Sequence, residues 1–305
     1  MATAFITHPD CLLHEMDSVH PESPARLYAI QDQIIASGLD SILKYLDAPL
    51  ATKEQLSRVH DEEYINAIFQ LAPDNGRVIL DPDTSMNPHS LNAALRASGA
   101  VVHAVDLLLK EKASHAFCNI RPPGHHAERS KVMGFCIFNN IAVGAAHALE
   151  FYNLNRIAIV DFDVHHGNGT EDIFENDPRV LVCSSFQHPY YPFSDLENHA
   201  DNIIKIPLQA GSGGTEFRQK IEQYCLPQLE EFKPELILIS AGFDGHREDD
   251  MSQINLVEED YAWITSQLME IANKFAQGRI VSVLEGGYAL SALGRSVVAH
   301  IKSML

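Results

Sequence analysis

Short apolar runs rich in β-branched residues recur along this chain and alternate with longer amphipathic segments. Continuous apolar runs of this length are typical of strands that are buried on both faces. The runs span residues 116–120, 156–162, 180–183, 202–206, 236–240 and 279–284. Their alternation with helical segments predicts an α/β fold with a mostly parallel, multi-stranded sheet and helices on both faces.

The segments between these runs show the apolar periodicity of amphipathic helices. They span residues 90–110, 139–152, 215–231 and 258–277. Towards the N-terminus, residues 24–46 and 61–71 also have a helical pattern, and we expect no strand ladder there. The sequence contains no Pro/Gly/Ser-rich linker, internal repeat or low-complexity tract. We therefore expect one domain that spans residues 1–305.

The balance of charge and the cysteine pattern limit the partners and the compartment. A formal net charge of −19 argues against nucleic acid, since phosphate binding needs concentrated Lys and Arg. No apolar run approaches the roughly 18 residues of a membrane span, and the N-terminus lacks the pattern of a secretory signal. The five cysteines are widely spaced and form no CxxC pair, which is typical of a reducing compartment. We expect a cytoplasmic protein that binds neither nucleic acid nor membranes.

Ionisable residues directly follow four of the apolar runs. These polar segments span residues 121–126, 161–169, 241–244 and 285–288. In open α/β sheets, ligands bind just beyond the carboxyl ends of the strands. We therefore expect the four segments to meet at one edge of the sheet and to form the functional site.

Two of these segments contain a candidate metal site. Asp163 and His165 stand two residues apart in an extended stretch, so their side chains leave the same face of the chain. With Asp244 they would give three nitrogen and oxygen ligands and one open position, as in catalytic zinc sites. A structural zinc site usually includes Cys, and none lies beside these residues. Two alternatives stay open: Asp163 as a helix cap with His165 in the core, and non-haem iron, which prefers two histidines and one carboxylate.

The other two segments contain candidate acid–base groups. His125 and His126 follow two prolines and a glycine that restrict the loop. A neutral imidazole there can accept a proton from water and later deliver it to a leaving amine, and Asp161 and Asn168 are candidates to fix its tautomer. The hydroxyl of Tyr288 is a candidate donor to an oxyanion. The alternatives are a structural His pair and an ordinary Gly-Gly turn.

Six short strings of residues recur here in a characteristic order. They are residues 20–27 (HPESPARL), 121–127 (RPPGHHA), 134–136 (GFC), 161–170 (DFDVHHGNGT), 240–244 (SAGFD) and 285–288 (EGGY). In combination and in order, these strings resemble those of histone deacetylases in the arginase/deacetylase superfamily, above all the class II enzymes and their bacterial relatives. The resemblance extends from residue 20 to residue 288 and implies the arginase/deacetylase fold.

The resemblance implies a zinc-dependent deacylase and a role for each site residue. His126 would be the general base and acid, and His125 would be its electrostatic partner, oriented by Asp161. Tyr288 would polarise the acyl carbonyl. The implied zinc ligands are Asp163, His165 and Asp244. The implied ligands of a potassium ion near the zinc are the side chains of Asp161 and Ser184 and the carbonyl groups of Asp163, His165 and Ser185.

The same resemblance implies a narrow tunnel for the stem of an acyl-lysine side chain. Phe135, next to Gly134, and Tyr191 would form its walls. Tyr191 departs from the Phe that is common in the family and adds a hydroxyl to an apolar wall. Arg26 would lie near the foot of the tunnel, and Asp83 would contact the substrate from a rim loop.

The expected reaction is hydrolysis of the amide of acyl-lysine in proteins or peptides. Acetylpolyamines or other small amides are an alternative, which Met251 disfavours because polyamine-specific relatives carry a glutamate at that position. A metal-free module that binds acyl-lysine is disfavoured because every residue that the chemistry needs is present. An arginase-like pair of metals would need more aspartates and histidines. Residues 197–201 replace a glycine-rich stretch of the relatives, and we expect that loop to differ.

Overall fold

The chain folds around one parallel β-sheet, which the computed structural model describes for residues 3–196 and 200–305. The strands are β1 (Ala4–Thr7), β2 (Lys44–Asp47), β3 (Val78–Asp81), β4 (Thr84–Met86), β5 (His115–Cys118), β6 (Ile157–Asp161), β7 (Val180–Gln187), β8 (Ile203–Leu208), β9 (Leu236–Ala241) and β10 (Ile280–Leu284). Within the described residues, eight of them form the sheet in the order β2-β1-β5-β10-β9-β6-β7-β8. Every neighbouring pair in it is parallel, whereas β3 and β4 form a separate antiparallel hairpin.

Helices connect the strands and cover both faces of the sheet. They are α1 (Asp10–Leu13), α2 (Ala25–Ala36), α3 (Lys53–Leu56), α4 (Glu62–Leu71), α5 (Ser90–Leu109), α6 (Asn140–Tyr152), α7 (Asn168–Phe174), α8 (Gly214–Lys220), α9 (Leu226–Phe232), α10 (Glu258–Phe275) and α11 (Leu290–Met304). Helices α5 and α6 pack against each other, and α11 packs against both α2 and α10. Within residues 3–196 and 200–305, no helix has the length and apolarity to cross a bilayer.

The central strands are apolar along their whole length because both of their faces are covered. Every residue of β6, β9 and β10 is buried. Burying a Val, Leu or Ile side chain contributes about 1.5–3 kcal/mol, so these runs anchor the core. Their polar carboxyl ends are thereby placed at one edge of the sheet.

All six predicted strands are present, with ends that differ by a few residues. The expectation of a helical stretch without strands at residues 24–46 is wrong in its last part, because α2 stops at Ala36, Gly38 adopts a φ of 75°, and β2 follows. The sequence did not predict β2, because an edge strand with exposed side chains shows no apolar run. The short strand β1 was also missed. The helix predicted at residues 215–231 contains a π-helical turn, Ile221–Cys225, just before Pro227. The loop at residues 197–201 lies mostly outside the described residues.

Three fully buried charged side chains join the N-terminal region to the sheet edge. Arg121 contacts Glu22 through two guanidinium nitrogens, one of them 2.7 Å from Oε2, and Nη1 of Arg26 lies 3.1 Å from Oε1 of Glu22. Burial alone would raise the pKa of Glu22, but the two guanidinium groups outweigh it and lower the pKa to about 2. Arg26 also donates to the carbonyl oxygens of Gly287, at 2.6 Å, and of Glu285. This buried triad therefore supports two of the polar segments at once.

We expect Glu22→Gln to lower the free energy of unfolding by about 3–5 kcal/mol at pH 7, because two buried guanidinium groups lose their counter-charge. Denaturant unfolding measures this difference. The folded-state pKa of Glu22 lies below the ordinary value of 4.5, so its contribution is complete above that pH and disappears as the pH falls towards 2. The exposed side chain of Glu54, which lies 3.7 Å from Arg58, supplies the control. Glu54→Gln should cost less than about 0.5 kcal/mol, and equal losses in both variants would contradict the assignment.

Candidate metal centre and catalytic site

The ends of two neighbouring strands bring together the three predicted metal ligands. β6 and β9 pair in parallel with Asp161 opposite Ser240, so the residues that follow them emerge side by side. Ligand atoms of Asp163, His165 and Asp244 all lie within 4.8 Å of one another. Nδ1 of His165 is 3.1 Å from Oδ1 of Asp163 and 3.2 Å from Oδ2 of Asp244. The three side chains are buried and converge on one point.

The donor set at this point fits a divalent cation. Oδ2 of Asp244 is buried and accepts no hydrogen bond from any described residue. Burial and the neighbouring Asp163 raise the pKa of Asp244 to about 6, and a cation would relieve both effects. The backbone of Gly286 lies so close that a Cβ there would be 2.1 Å from Oδ2 of Asp244. One imidazole and two carboxylates without Cys match an open zinc site.

Two adjacent imidazoles face this centre, and each has its own orienting partner. Nδ1 of His125 lies 2.9 Å from Oδ2 of Asp161, and Nδ1 of His126 lies 2.7 Å from Oδ1 of Asn168. The ring centroids of the two histidines are 4.0 Å apart, and the ring of His126 lies edge-on to that of His165 at 5.9 Å. The structure therefore pairs Asp161 with His125 and Asn168 with His126, which the residues alone left open.

The surroundings separate the pKa values of the two imidazoles. Burial lowers the pKa of His125, but Asp161 and Asp163 outweigh it and raise the value to about 10. Burial, followed by repulsion from His125 and His165, lowers the pKa of His126 well below its ordinary range. A charged imidazole thus stands beside a neutral one, and the neutral one can accept a proton.

Glu285 fixes the loop of the two histidines, a role that the sequence did not reveal. Its Oε2 accepts hydrogen bonds from the backbone N–H groups of Gly124, at 2.7 Å, and His125, at 3.2 Å. Its Oε1 accepts from the hydroxyl of Ser240 at 3.1 Å. Burial raises the pKa of Glu285 to about 7. No sequence signal pairs a residue at the end of β10 with a loop 160 positions earlier.

Asp249 holds the loop of Tyr288 in the same manner and was also missed. Its Oδ2 accepts from the backbone N–H groups of Tyr288, at 2.6 Å, and Ala289, at 2.8 Å. Its Oδ1 accepts from the backbone N–H of Met251 at 3.0 Å. Burial raises the pKa of Tyr288 well above its ordinary value, so the phenol keeps its proton. One carboxylate therefore connects two walls of the site.

A cavity of ≈ 360 Å³ leads to this centre. It is lined by Asp83, Pro123, His125, His126, Gly134, Phe135, Asp163, His165, Tyr190, Tyr191, Phe193, Met251, Gly286 and Tyr288. Gly134 must be glycine, because a Cβ there would lie 2.4 Å from Cδ2 of His126. Phe135 adopts a φ of 67°, a strained conformation that places its ring edge-on to Tyr288 at 6.0 Å between centroids.

The remaining predicted residues lie at different distances from the cavity. Asp83, Met251 and the wall residues line it, whereas Arg26 lies behind Tyr288, with its guanidinium 4.9 Å from the ring centroid. Ser184 stands beside Asp161 in the β6–β7 register, and its Oγ lies 2.9 Å from Nδ1 of His166. The hydroxyl of Ser185 donates to the carbonyl oxygen of Asp161 at 3.4 Å. Arg26 therefore packs against the ring of Tyr288 and does not line the cavity.

Two further aromatic residues of the cavity were not predicted. The ring of Tyr190 stacks on that of His165 with 5.8 Å between centroids. Phe193 lines the cavity with 76% of its surface exposed, and its ring lies 6.4 Å from that of Tyr191. The cluster of aromatics around Pro192 is the signal that would have identified this segment as a wall.

The doubly covered parallel sheet, with an Asp/His/Asp centre at its carboxyl edge, is the arginase/deacetylase fold. Residues 20–304 match the histone deacetylase domain, and the chain belongs to the histone deacetylase family. The predicted family and fold class are therefore confirmed. The chain is an amidohydrolase of the deacetylase type.

Relatives of several kinds share this similarity along the chain. A probable deacetylase of Archaeoglobus fulgidus is 36% identical over 95% of this chain and 82% of its own length. Polyamine deacetylase HDAC10 of mouse is 36% identical over 100% of this chain, which spans 48% of that protein. The crystal structure of the HDA15 HD domain has a TM-score of 0.93 and 31% identity, and the match covers 99% of this chain and 89% of that one.

We expect zinc to stabilise this protein through the three converging ligands. At a zinc concentration about 100 times the dissociation constant, the gain is about 2.7 kcal/mol and raises the melting temperature. Asp244→Asn removes a ligand charge and should abolish most of that shift, as measured by thermal unfolding with and without zinc. Asp201→Asn changes an exposed aspartate and should keep the full shift. Equal shifts in both variants would place the zinc elsewhere.

Proposed function

We propose that this protein is a zinc-dependent deacylase that hydrolyses the amide of acyl-lysine in proteins or peptides. The observation that carries the proposal is the convergence of Asp163, His165 and Asp244 beside His126, inside a cavity with aromatic walls. Membership of the histone deacetylase family supports the amide chemistry. A cavity of ≈ 360 Å³ with aromatic walls suits a linear acyl-lysine side chain.

The proposed zinc ligands are Asp163, His165 and Asp244. Their two carboxylates balance the charge of a divalent ion, and the stacked ring of Tyr190 keeps His165 in place. A bound zinc ion supplies Lewis-acid polarisation of the amide carbonyl and lowers the pKa of water towards neutrality. The hydrogen bond from the backbone N–H of Gly286 to Asp163, at 2.8 Å, fixes one of these carboxylates beforehand.

His126 is the proposed general base and acid. Its low pKa leaves it neutral at pH 7, so it accepts a proton from the attacking water and returns it to the departing amine. His125, charged through its pair with Asp161, stabilises the negative charge that develops beside it. The products are a free lysine amine and a carboxylate. Asn168 orients His126 throughout this cycle.

Tyr288 is the proposed donor to the oxyanion of the tetrahedral intermediate. Its phenol stays protonated at neutral pH, and Asp249 holds its backbone in position. Phe135 and Tyr191 line the cavity and would exclude water from the stem of the substrate. Asp83 lines the same cavity and would accept a hydrogen bond from the substrate backbone.

We also infer a potassium ion close to the zinc ligands. Asp161 and Ser184 are neighbours across β6 and β7, and the hydroxyl of Ser185 already contacts the Asp161 carbonyl. A hard monovalent ion suits such carboxylate, hydroxyl and carbonyl oxygens. By holding Asp161, the ion would also steady His125.

We expect His126→Ala to lower kcat by about 100-fold to 10 000-fold on an acetyl-lysine peptide, because the reaction loses its base and acid. Tyr288→Phe should lose about 100-fold or more, because the oxyanion loses one donor. Steady-state hydrolysis by the zinc-loaded enzyme measures both. His89→Ala and Tyr224→Phe change exposed residues of the same types and should leave turnover unchanged. Wild-type turnover in His126→Ala would remove this residue from the mechanism.

An acetylated polyamine is the second candidate substrate, supported by the similarity to a polyamine deacetylase over the whole chain. Met251 stands in the cavity wall where it offers no charge to a second ammonium group. Lysine is therefore the preferred substrate in our proposal.

We expect Met251→Glu to raise the ratio of kcat/KM on acetylspermidine to that on acetyl-lysine peptide by about 2–5-fold, the effect of an ion pair of up to about 1 kcal/mol. Ile42→Glu adds the same charge at an exposed position away from the cavity lining and should leave the ratio unchanged. A wild-type enzyme that already prefers acetylspermidine would contradict the lysine assignment.

A further inference from the structure

Glu128 lies outside the lining of the cavity, but its side chain reaches a residue that touches the general base. Oε1 of Glu128 accepts a hydrogen bond from Nδ2 of Asn168 at 2.8 Å. Oδ1 of the same amide lies 2.7 Å from Nδ1 of His126. A chain of two hydrogen bonds therefore connects Glu128, which is 29% exposed, to a buried imidazole.

The chemistry of the two ends decides how the Asn168 amide is oriented. A carboxylate only accepts hydrogen bonds, so the amide must present its NH₂ group to Glu128. The sulfur of Met133, also an acceptor, lies 3.4 Å from the same nitrogen. Both neighbours at this end thus require a donor. The carbonyl oxygen of Asn168 is left to face His126.

This orientation in turn decides which nitrogen of His126 bears the proton. An amide oxygen only accepts, so Nδ1 of His126 must be the protonated nitrogen. In a neutral ring the lone pair then belongs to Nε2, on the edge that faces away from Asn168. A base that accepts a proton from water needs this lone pair towards the cavity.

We propose that Glu128 is a positioning residue that sets the Nδ1–H tautomer of His126 through the amide of Asn168. This role rests on the proposed function, in which His126 is the general base. Glu128 touches neither substrate nor metal ligands. Two hydrogen bonds hold the backbone of Glu128 in place. The N–H of Glu128 donates to the carbonyl oxygen of Lys131 at 3.0 Å, and the carbonyl oxygen of Glu128 accepts from Nδ1 of His60 at 3.0 Å. The role depends on the acceptor character of its carboxylate.

Glu128→Lys tests this role because it exchanges an acceptor for a donor. The new ammonium would draw the oxygen of Asn168 towards itself and turn the NH₂ group to His126, which favours the wrong tautomer. We expect kcat on an acetyl-lysine peptide to fall about 100-fold, with little change in KM because Glu128 does not line the cavity. Asn168→Asp combined with Glu128→Lys restores a donor facing an acceptor, and should recover at least about tenfold of the loss.

Lys131→Gln is the matched control. It removes the cation 3.7 Å from Glu128 but leaves the hydrogen bond to Asn168, so kcat should stay within about twofold of wild type. The proposal would be overturned if the kcat of Glu128→Lys stayed within about threefold of wild type. It would also be overturned if the kcat of the double variant were no higher than that of Glu128→Lys.

Nitrogen NMR of isotope-labelled histidine in the wild-type protein, with and without zinc, gives a readout that does not depend on turnover. With the His126 signals assigned through His126→Ala, we expect a proton on Nδ1 and an unprotonated Nε2. An Nε2–H tautomer would overturn the role of Glu128 even in an active enzyme. A wild-type protein that fails to hydrolyse acyl-lysine but shows Nδ1–H would instead refute the proposed function alone.

Discussion

Buried carboxylates at the carboxyl edge of the sheet are the constraint on which the rest of this structure depends. A desolvated negative charge is costly unless donors or cations compensate it. Glu22 is compensated by two guanidinium groups, Asp161 by an imidazole, and Glu285 by backbone N–H groups and a hydroxyl. Asp163 and Asp244 share one imidazole, and one carboxylate oxygen has no hydrogen bond among the described residues. A cation between Asp163, His165 and Asp244 would compensate these remaining negative charges.

Buried carboxylates also organise the loops that carry the acid–base groups. Glu285 holds the segment of His125, and Asp249 holds that of Tyr288, each through a pair of backbone N–H groups. Arg26 connects these parts, since it donates to the carbonyl groups of residues 285 and 287 while pairing with Glu22. Fixed backbone geometry means that the donors need little reorganisation during the reaction. The site is thus positioned by buried polar contacts, and the apolar core provides the frame.

The sequence predicted the parts of the fold and site that follow local chemistry. Apolar runs predicted the central strands because burial on both faces selects apolar residues at every position. The ligand segment was recognisable because Asp163 and His165 follow a strand at a spacing of two. The edge strand β2 and its neighbour β1 escaped prediction, and β2 showed no apolar run because its side chains are largely exposed. The roles of Glu285, Asp249 and Glu128 also escaped, because each acts on a segment distant in sequence or through a neighbour's amide.

The central claim is that the centre is a mixed nitrogen and oxygen site held by the carboxylates of Asp163 and Asp244. X-ray absorption spectroscopy at the zinc edge tests this claim most directly. For one equivalent of zinc, the account predicts one imidazole nitrogen at about 2.0–2.1 Å, the remaining ligands oxygen at about 2.0–2.2 Å, and no sulfur. Asp163→Asn should alter this spectrum. A sulfur shell at about 2.3 Å, or two or more imidazole ligands, would contradict the account.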